Sequence, residues 1–286
     1  LITIAHIINP FHALPESDLS RAQPVTFETM RRARANAENE AEVTLYSAQF
    51  AEDRDCVPHD FTATPDLQLS APDLHAEKKF RLPLIREILE RLYSVSDAEY
   101  LIYTNVDIAL YPDFYREVCR RIGEGYDAMI INRRRIPDMN YGIDDLDQMM
   151  KEPGKKHPGF DCFVFHRSLY PKLVLEDICI GVPFFEITFS QNIFCHAKNF
   201  RLFEDERLTF HIGMEIFKRR APREYLHYNR SEYYKAIAKL RPCLDSRKLP
   251  YAREILPVRW IRWGLHPCIP IRLALQLDLQ RMRGKR

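Results

Sequence analysis

Ala98-Glu99-Tyr100-Leu101-Ile102-Tyr103-Thr104-Asn105-Val106-Asp107-Ile108 is an apolar run that stops at Asn-x-Asp. It reads as a buried strand over Glu99 to Tyr103. Its end puts an amide and a carboxylate two residues apart at one edge of a sheet, where strand alternation turns both the same way. A hard divalent cation bridging a diphosphate needs only one or two protein oxygens there, because phosphate and water complete its shell. Such a cation would neutralise charge building on a leaving nucleotide. The same two residues equally suit an Asx turn that caps the next segment of chain.

Outward from this strand, the chain alternates strand and helix. Ile2 to Ile8 is a β-branched run ended by Asn9-Pro10, Glu42 to Ser47 is a second strand, and Val25 to Glu38 between them has the composition of a helix. Phe50 to Asp73 is rich in Pro, Asp and Ser and reads as a long loop, which in a compact domain usually serves a site. Leu84, Ile85, Ile88, Leu89 and Leu92 recur at helical spacing within His75 to Tyr93. Beyond the central strand, Asp113 to Ile122 is a helix and Tyr126 to Asn132 a strand. Phe160 to His166 is a further strand, entered through His157-Pro158-Gly159 and followed by a helix that Ser168 suits as cap. Pro183 to Lys198 is a buried helix and Arg207 to Ile212 a last strand. This order predicts an α/β domain with a mainly parallel sheet covered on both faces, and ligands in such sheets bind outside the carboxyl ends of the strands.

At 286 residues, 46% apolar and 29% charged, the chain can bury one large core and is neither disordered nor fibrous. No apolar run of about 18 residues occurs, so no segment is expected to span a bilayer. Leu1 opens directly into a strand-like run, without a charged leader. Seven cysteines form no C-x-x-C pair and several sit inside apolar runs, which suits reduced, buried thiols and a cytoplasmic protein. Residues 1–214 carry 24 Lys and Arg against 34 Asp and Glu, and residues 215–286 carry 18 against 6, so the parts differ as −10 and +12. A basic, mainly helical extension on an acidic body suits an anionic partner, or packing of the extension on that body. Arg259-Trp260-Ile261-Arg262-Trp263 interleaves aromatics and cations as a peripheral helix at an anionic membrane would, the alternative being a helical lid. The stretch Ile271 to Leu277 fits a strand or a helix. A nucleic-acid partner is disfavoured by the acidic remainder and the lack of a binding motif.

With this order of elements, and with Asn105-Val106-Asp107 in the place of a D-x-D motif, residues 1–214 resemble the nucleotide-diphospho-sugar transferase superfamily of GT-A fold. The resemblance implies a glycosyltransferase that moves a sugar from a nucleotide-diphosphate donor to a hydroxyl of a glycan or lipid-linked glycan, as in polysaccharide biosynthesis, with Mn²⁺ or Mg²⁺ as cofactor. Asn105 departs from the motif's first carboxylate and leaves Asp107 as the direct metal ligand. His211, in Leu208-Thr209-Phe210-His211-Ile212-Gly213, corresponds to a late His that adds a metal contact; a core His is the other reading.

Glu186, at the start of an apolar helix after Gly181-Val182-Pro183, matches the superfamily's catalytic base for inverting transfer. A lone Glu among Phe residues suits a raised pKa, and equally a first-turn acid favoured by the helix dipole. Asp161 is the reserve base or a holder of donor hydroxyls. Positive charge near the diphosphate is expected from Lys78, Lys79 and Arg81, with Lys79 and Arg81 leading, or from Arg133-Arg134-Arg135. Asn9 and Gln49, at the exits of the first two strands, are placed beside the nucleoside.

His157, Cys162 and His166 lack a fourth ligand for zinc and read as packing. No G-x-S-x-G, H-E-x-x-H or Walker A pattern is present. Two rivals remain. A sugar-phosphate nucleotidyltransferase would carry a glycine-rich loop after the first strand, where this chain has Asn9-Pro10-Phe11-His12-Ala13-Leu14-Pro15. A non-catalytic glycan- or partner-binding module on the same fold would tolerate Asn105.

Overall fold

The computed structural model describes residues 1–72, 81–136, 141–212 and 222–284. The apolar runs form β1 (Ile2–Ile8), β2 (Ala41–Ser47) and β4 (Tyr100–Thr104), with a two-residue β3 (Thr62–Ala63) inside the expected long loop. Three further strands come next in the chain: β5 (Ile108–Leu110), β6 (Ala128–Ile136) and β7 (Lys155–His166). The last two are β8 (Phe200–Phe203) and β9 (Thr209–Ile212). They pair in the order β3-β2-β1-β4-β7-β6-β9-β5, with β8 also on β6. Five pairings are parallel and three antiparallel, the latter all involving β7 or β5, so the sheet is mixed but mainly parallel. β4 is buried at every position because β1 and β7 flank it.

Alternation along the strands sends side chains to two cores. On one face Ile7, Leu101, Tyr103 and Phe163 pack with the helices α2 (Ile85–Val95) and α5 (Phe185–His196). On the other, Ile4, Ile102 and Val164 pack with α1 (Leu19–Asn36) and α3 (Phe114–Gly123). The short α4 (Leu146–Lys151) joins a smaller cluster with Tyr111 and Phe210.

Several boundaries differ from expectation. α1 starts six residues before Val25 and keeps Pro24 inside, without the N–H that would bond the preceding turn. α2 starts only at Ile85, since Leu84 is extended and bridges Cys179; residues 75–80 of the predicted helix lie outside the described residues. Ser168 caps no helix: a 3-10 turn over Arg167–Lys172 is capped by His166, whose Nδ1 accepts the Ser168 amide. The loop after β2 carries a 3-10 turn over Ala51–Cys56. β5 and β8, at three and four residues, were not expected; runs that short carry no readable period.

The extension forms α6 (Arg223–Leu240), α7 (Leu256–Leu265) and α8 (Ile271–Met282), so the ambiguous stretch at 271–277 is helical. Trp263 is fully buried in the same core as Phe163 and Phe189, and its indole donates to the Pro250 carbonyl at 2.6 Å. Trp260 donates to Asp278 at 2.9 Å, and Arg259 pairs with the same carboxylate at 2.6 Å. Arg259, Trp260 and Trp263 therefore face the body, as the helical-lid alternative expects, while Ile261 and Arg262 of the same motif stay exposed. Trp263→Ala should destabilise the whole protein by about 3–5 kcal/mol, the cost of a large buried aromatic. A single cooperative transition at lower temperature would show it; an unchanged melting curve would detach the extension from the core.

Candidate functional site

β4 ends at Thr104, one residue before Asn105, and the backbone turns at Val106-Asp107 into β5. Strand alternation therefore does not set how Asn105 and Asp107 face, contrary to the expectation from their spacing. Asn105 makes no Asx turn either. Its carbonyl oxygen accepts from the Tyr103 hydroxyl at 2.8 Å and its amide donates to Asp161 at 3.1 Å.

Asp107 meets His211 because β5 pairs antiparallel with β9, setting Ile108 opposite His211. The His211 Nε2 lies 2.9 Å from an Asp107 oxygen, with both side chains buried. Burial alone would raise the Asp107 pKa, but His211 and, further off, Arg133 outweigh it and hold the carboxylate below its usual range. Two ligands at about 2.1 Å from one cation and at right angles stand about 3 Å apart, so this pair fits two positions of a divalent ion's shell. The other His211 nitrogen is buried and without a partner among the described residues. The pair thus fits a cation whose remaining ligands come from a bound diphosphate and water.

Asp161, on β7, accepts from Asn105 and is bridged closely by the Arg133 guanidinium. Burial, then the charge of Asp107, pushes its pKa up, while Arg133 holds it back. Arg133 reaches this position through an irregularity in the sheet: the β6–β7 register shifts on either side of Asn132, and a bulge re-aims side chains that regular alternation would send elsewhere. Its Nε is buried with no partner among the described residues, which leaves a donor for a phosphate oxygen. Although burial disfavours the cation, Asp161, Asp107 and Glu186 together keep it charged.

Glu186 stands in the first turn of α5, after Gly181 at φ 77° and Phe184 at φ 84°. A left-handed Phe is costly, by roughly 1–3 kcal/mol, and is held by the packing of its ring near Tyr233. Burial first, then the Asp161 charge, raises the Glu186 pKa to about 7, against the pull of a backbone hydrogen bond and Arg133. His157, at the start of β7, is lowered to about 4 by burial and by Arg133, His211 and Arg135. It accepts the Gly159 amide at 2.8 Å, and a Cβ at Gly159 would come within 2.9 Å of its ring, so the imidazole would have to shift to admit a larger residue there.

Asn105, Asp107, Asp161, Glu186 and His211 are thus brought together, with Arg133 at their centre. Asn9, Gln49 and Arg81 form a second group at the exits of β1 and β2. Asn9 donates to the Ala48 carbonyl at 2.6 Å. Gln49 accepts from Ser47 at 2.8 Å and donates to the Thr64 carbonyl at 2.9 Å and to Asp66 at 3.1 Å. Arg81 lies 3.8 Å over the Phe50 ring and pairs with Glu52. Lys78 and Lys79 lie outside the described residues. Of the cations weighed in the sequence, Arg133 is the one seen among the acids; the signal for it was a charged run breaking an apolar strand. A surface cleft of about 550 Å³ lined by Lys198, Arg247, Lys248 and Tyr251 shares no residue with this cluster.

No protein-family model matches the chain, and none of the curated proteins does. Among solved structures, residues 1–349 of S. aureus TarS in complex with UDP-GlcNAc are 11% identical over 95% of this chain and 83% of that one, with a TM-score of 0.52. The same protein in complex with UDP is 10% identical over 92% and 78%, with a TM-score of 0.50. The fold is that of the GT-A-type glycosyltransferases, with a mainly parallel sheet flanked by helices.

Proposed function

We propose that this chain is a nucleotide-sugar-dependent glycosyltransferase acting on a hydroxyl of a glycan or lipid-linked glycan, with inversion. The observation that carries the reading is the convergence of Asp107, His211, Asp161, Glu186 and Arg133 at one point of a sheet of this fold. Glu186 takes the proton from the acceptor hydroxyl as that oxygen attacks the anomeric carbon. The bond from that carbon to the diphosphate oxygen breaks, and the nucleotide leaves with the electron pair. Arg133 meets the growing negative charge through its free donor. Asp107 and His211 would hold a divalent cation, Mn²⁺ or Mg²⁺, which supplies charge neutralisation on the diphosphate when bound. Asp161 and Asn105 position Arg133 and border the sugar. Asn9, Gln49 and Arg81 shape the nucleoside end.

A panel of UDP-, GDP- and TDP-sugars, assayed for nucleotide release with Mn²⁺ and with a chelator, tests this reading. TarS binds UDP-GlcNAc, which makes that donor the first to try. Release should fall on chelation, and Asp107→Ala should lower it by about 10²-fold or more, since a lost cation contact removes several kcal/mol of charge stabilisation. Tight donor binding without turnover would instead support a binding module, the reading that Asn105 favours.

In this reading residues 1–214 carry the chemistry, and the extension 215–286 completes the core and meets an anionic membrane surface at the cytoplasmic face. Among the described residues no helix is long and apolar enough to cross a membrane. The support for contact is the outward side of α7, where Ile255, Ile261 and Leu265 are 70%, 63% and 80% exposed and Arg253 and Arg262 flank them. All seven cysteines are free, which suits a reducing compartment. Ile261→Asp with Leu265→Asp should cut sedimentation with anionic vesicles about ten-fold or more, because each side chain contributes about 1.5–3 kcal/mol when buried. Equal binding of the variant would remove the membrane from the scheme.

A further inference from the structure

Away from the acidic cluster, three side chains of different chemistry meet at the exits of β1 and β2. His12 comes after β1, and Asp53 and Cys56 lie in the 3-10 turn after β2. One ligand atom from each lies within 4.8 Å of the other two. The segments are fixed against each other first by backbone: the His12 amide donates to Asp53 at 2.9 Å. The ring is fixed as well, since its Nε2 lies 2.8 Å from an Asp55 oxygen. Nδ1 makes no hydrogen bond among the described residues, which leaves it to bind a cation. A metal-ligating histidine whose second nitrogen is held by a carboxylate is the usual arrangement, because the carboxylate sets tautomer and orientation. Asp53 is 9% exposed, and among the polar contacts of the described residues its carboxylate meets only the His12 amide, with the Arg81 charge acting on it from outside hydrogen-bond range, so it is a nearly buried acid without an ion pair among those residues.

We propose that His12, Asp53 and Cys56 form a zinc-binding site that clips the loop after β1 to the turn after β2. Nitrogen, oxygen and sulfur together select a borderline-soft ion over Mg²⁺ or Ca²⁺, and three protein ligands leave a fourth tetrahedral position to water. Binding converts the Cys56 thiol to a thiolate and releases its proton to solvent, so affinity rises with pH. The site is separate from Asp107 and His211 and does not depend on the transferase reading. Its structural effect is to stiffen the walls beside Asn9 and Gln49.

The probe is the metal itself, added to the full chain without a histidine tag. With no nucleotide donor present to complete the Asp107–His211 site, Co²⁺ should give a sulfur-to-cobalt charge-transfer band that saturates at one equivalent, and Zn²⁺ should displace it. Cys56→Ser should abolish the band and His12→Ala should weaken binding at least ten-fold, while Asp107→Ala and Cys243→Ser leave both unchanged. His12 is exposed in a loop, so its alanine variant keeps the fold, and circular dichroism checks both variants. A band that persists in Cys56→Ser, affinity that is unmoved in His12→Ala, or no band at all overturns the proposal.

Discussion

Glu186→Gln should lower kcat by about 10²–10⁴-fold, the usual contribution of a positioned general base, while leaving donor affinity near that of the wild type. Gln matches Glu in shape and cannot accept the proton, so lost packing is not the cause. The wild-type rate should rise with pH through about 7, where Glu186 ionises, and this limb should vanish from the residual rate of the variant. Stability supplies an independent readout. The folded pKa of Glu186 lies above its unfolded value, so the protonated form favours the fold. That stabilisation is fully present below the unfolded pKa of about 4.3 and is lost as pH rises through about 7. Glu186→Gln should therefore raise the melting temperature at pH 8 and change it little near pH 4. A variant with full kcat, or with a lower melting temperature at pH 8, would remove Glu186 from the role of base.

The second large effect belongs to Arg133. Arg133→Leu should destabilise the protein by about 3–5 kcal/mol, because removing one partner of a buried ion pair leaves the other charge uncompensated. The charge left behind is Asp161, with Asp107 and Glu186 close enough to feel the loss. Adding Asp161→Asn should recover much of the stability without recovering activity, since the missing phosphate donor is not restored. Arg133 lowers the pKa of both Asp161 and Glu186. Without it the rising limb of the pH–rate profile should move to higher pH. Chemical denaturation of both variants, with pH profiles of the residual rate, checks the pair. Additive losses in the double variant would mean that Arg133 and Asp161 are not energetically coupled.

Much of the fold was legible because it is written in neighbours. β1, β2 and β4 are short runs rich in β-branched, aromatic or aliphatic residues, and each lies within a residue of its expected limits. α5 is buried on nearly every side as expected, with Thr188, Ser190, Gln191 and Asn192 inside alongside its Phe and Ile residues. Asn105, Asp107, Asp161, Glu186 and His211 were nominated by residue chemistry and by a resemblance in the order of elements. Neither could say that Asn105 would bond Asp161 rather than turn back on its own backbone.

The misses share one cause. The outward and inward sides of α7 both carry large apolar residues, so composition left open whether Trp260 and Trp263 would face a membrane or pack as a lid. The core takes Trp263, and the surface keeps Ile261 and Leu265. Arg133 sits in a run of three arginines that reads as a solvated strand end, and only the bulge against β7 selects it for the interior.

By itself, then, the sequence determined the element order, the abrupt end of the central strand at Asn-x-Asp and the supply of acids, a histidine and cations suited to a diphosphate. Tertiary structure alone decided that β9 would lie on β5 and so join His211 to Asp107 across about a hundred residues, that Arg133 would hold Asp161, and which side of α7 would meet water. Local periodicity depends on residues a few places apart. Pairing and register depend on distant segments competing for one core, where a shift of a single residue turns every side chain to the opposite face.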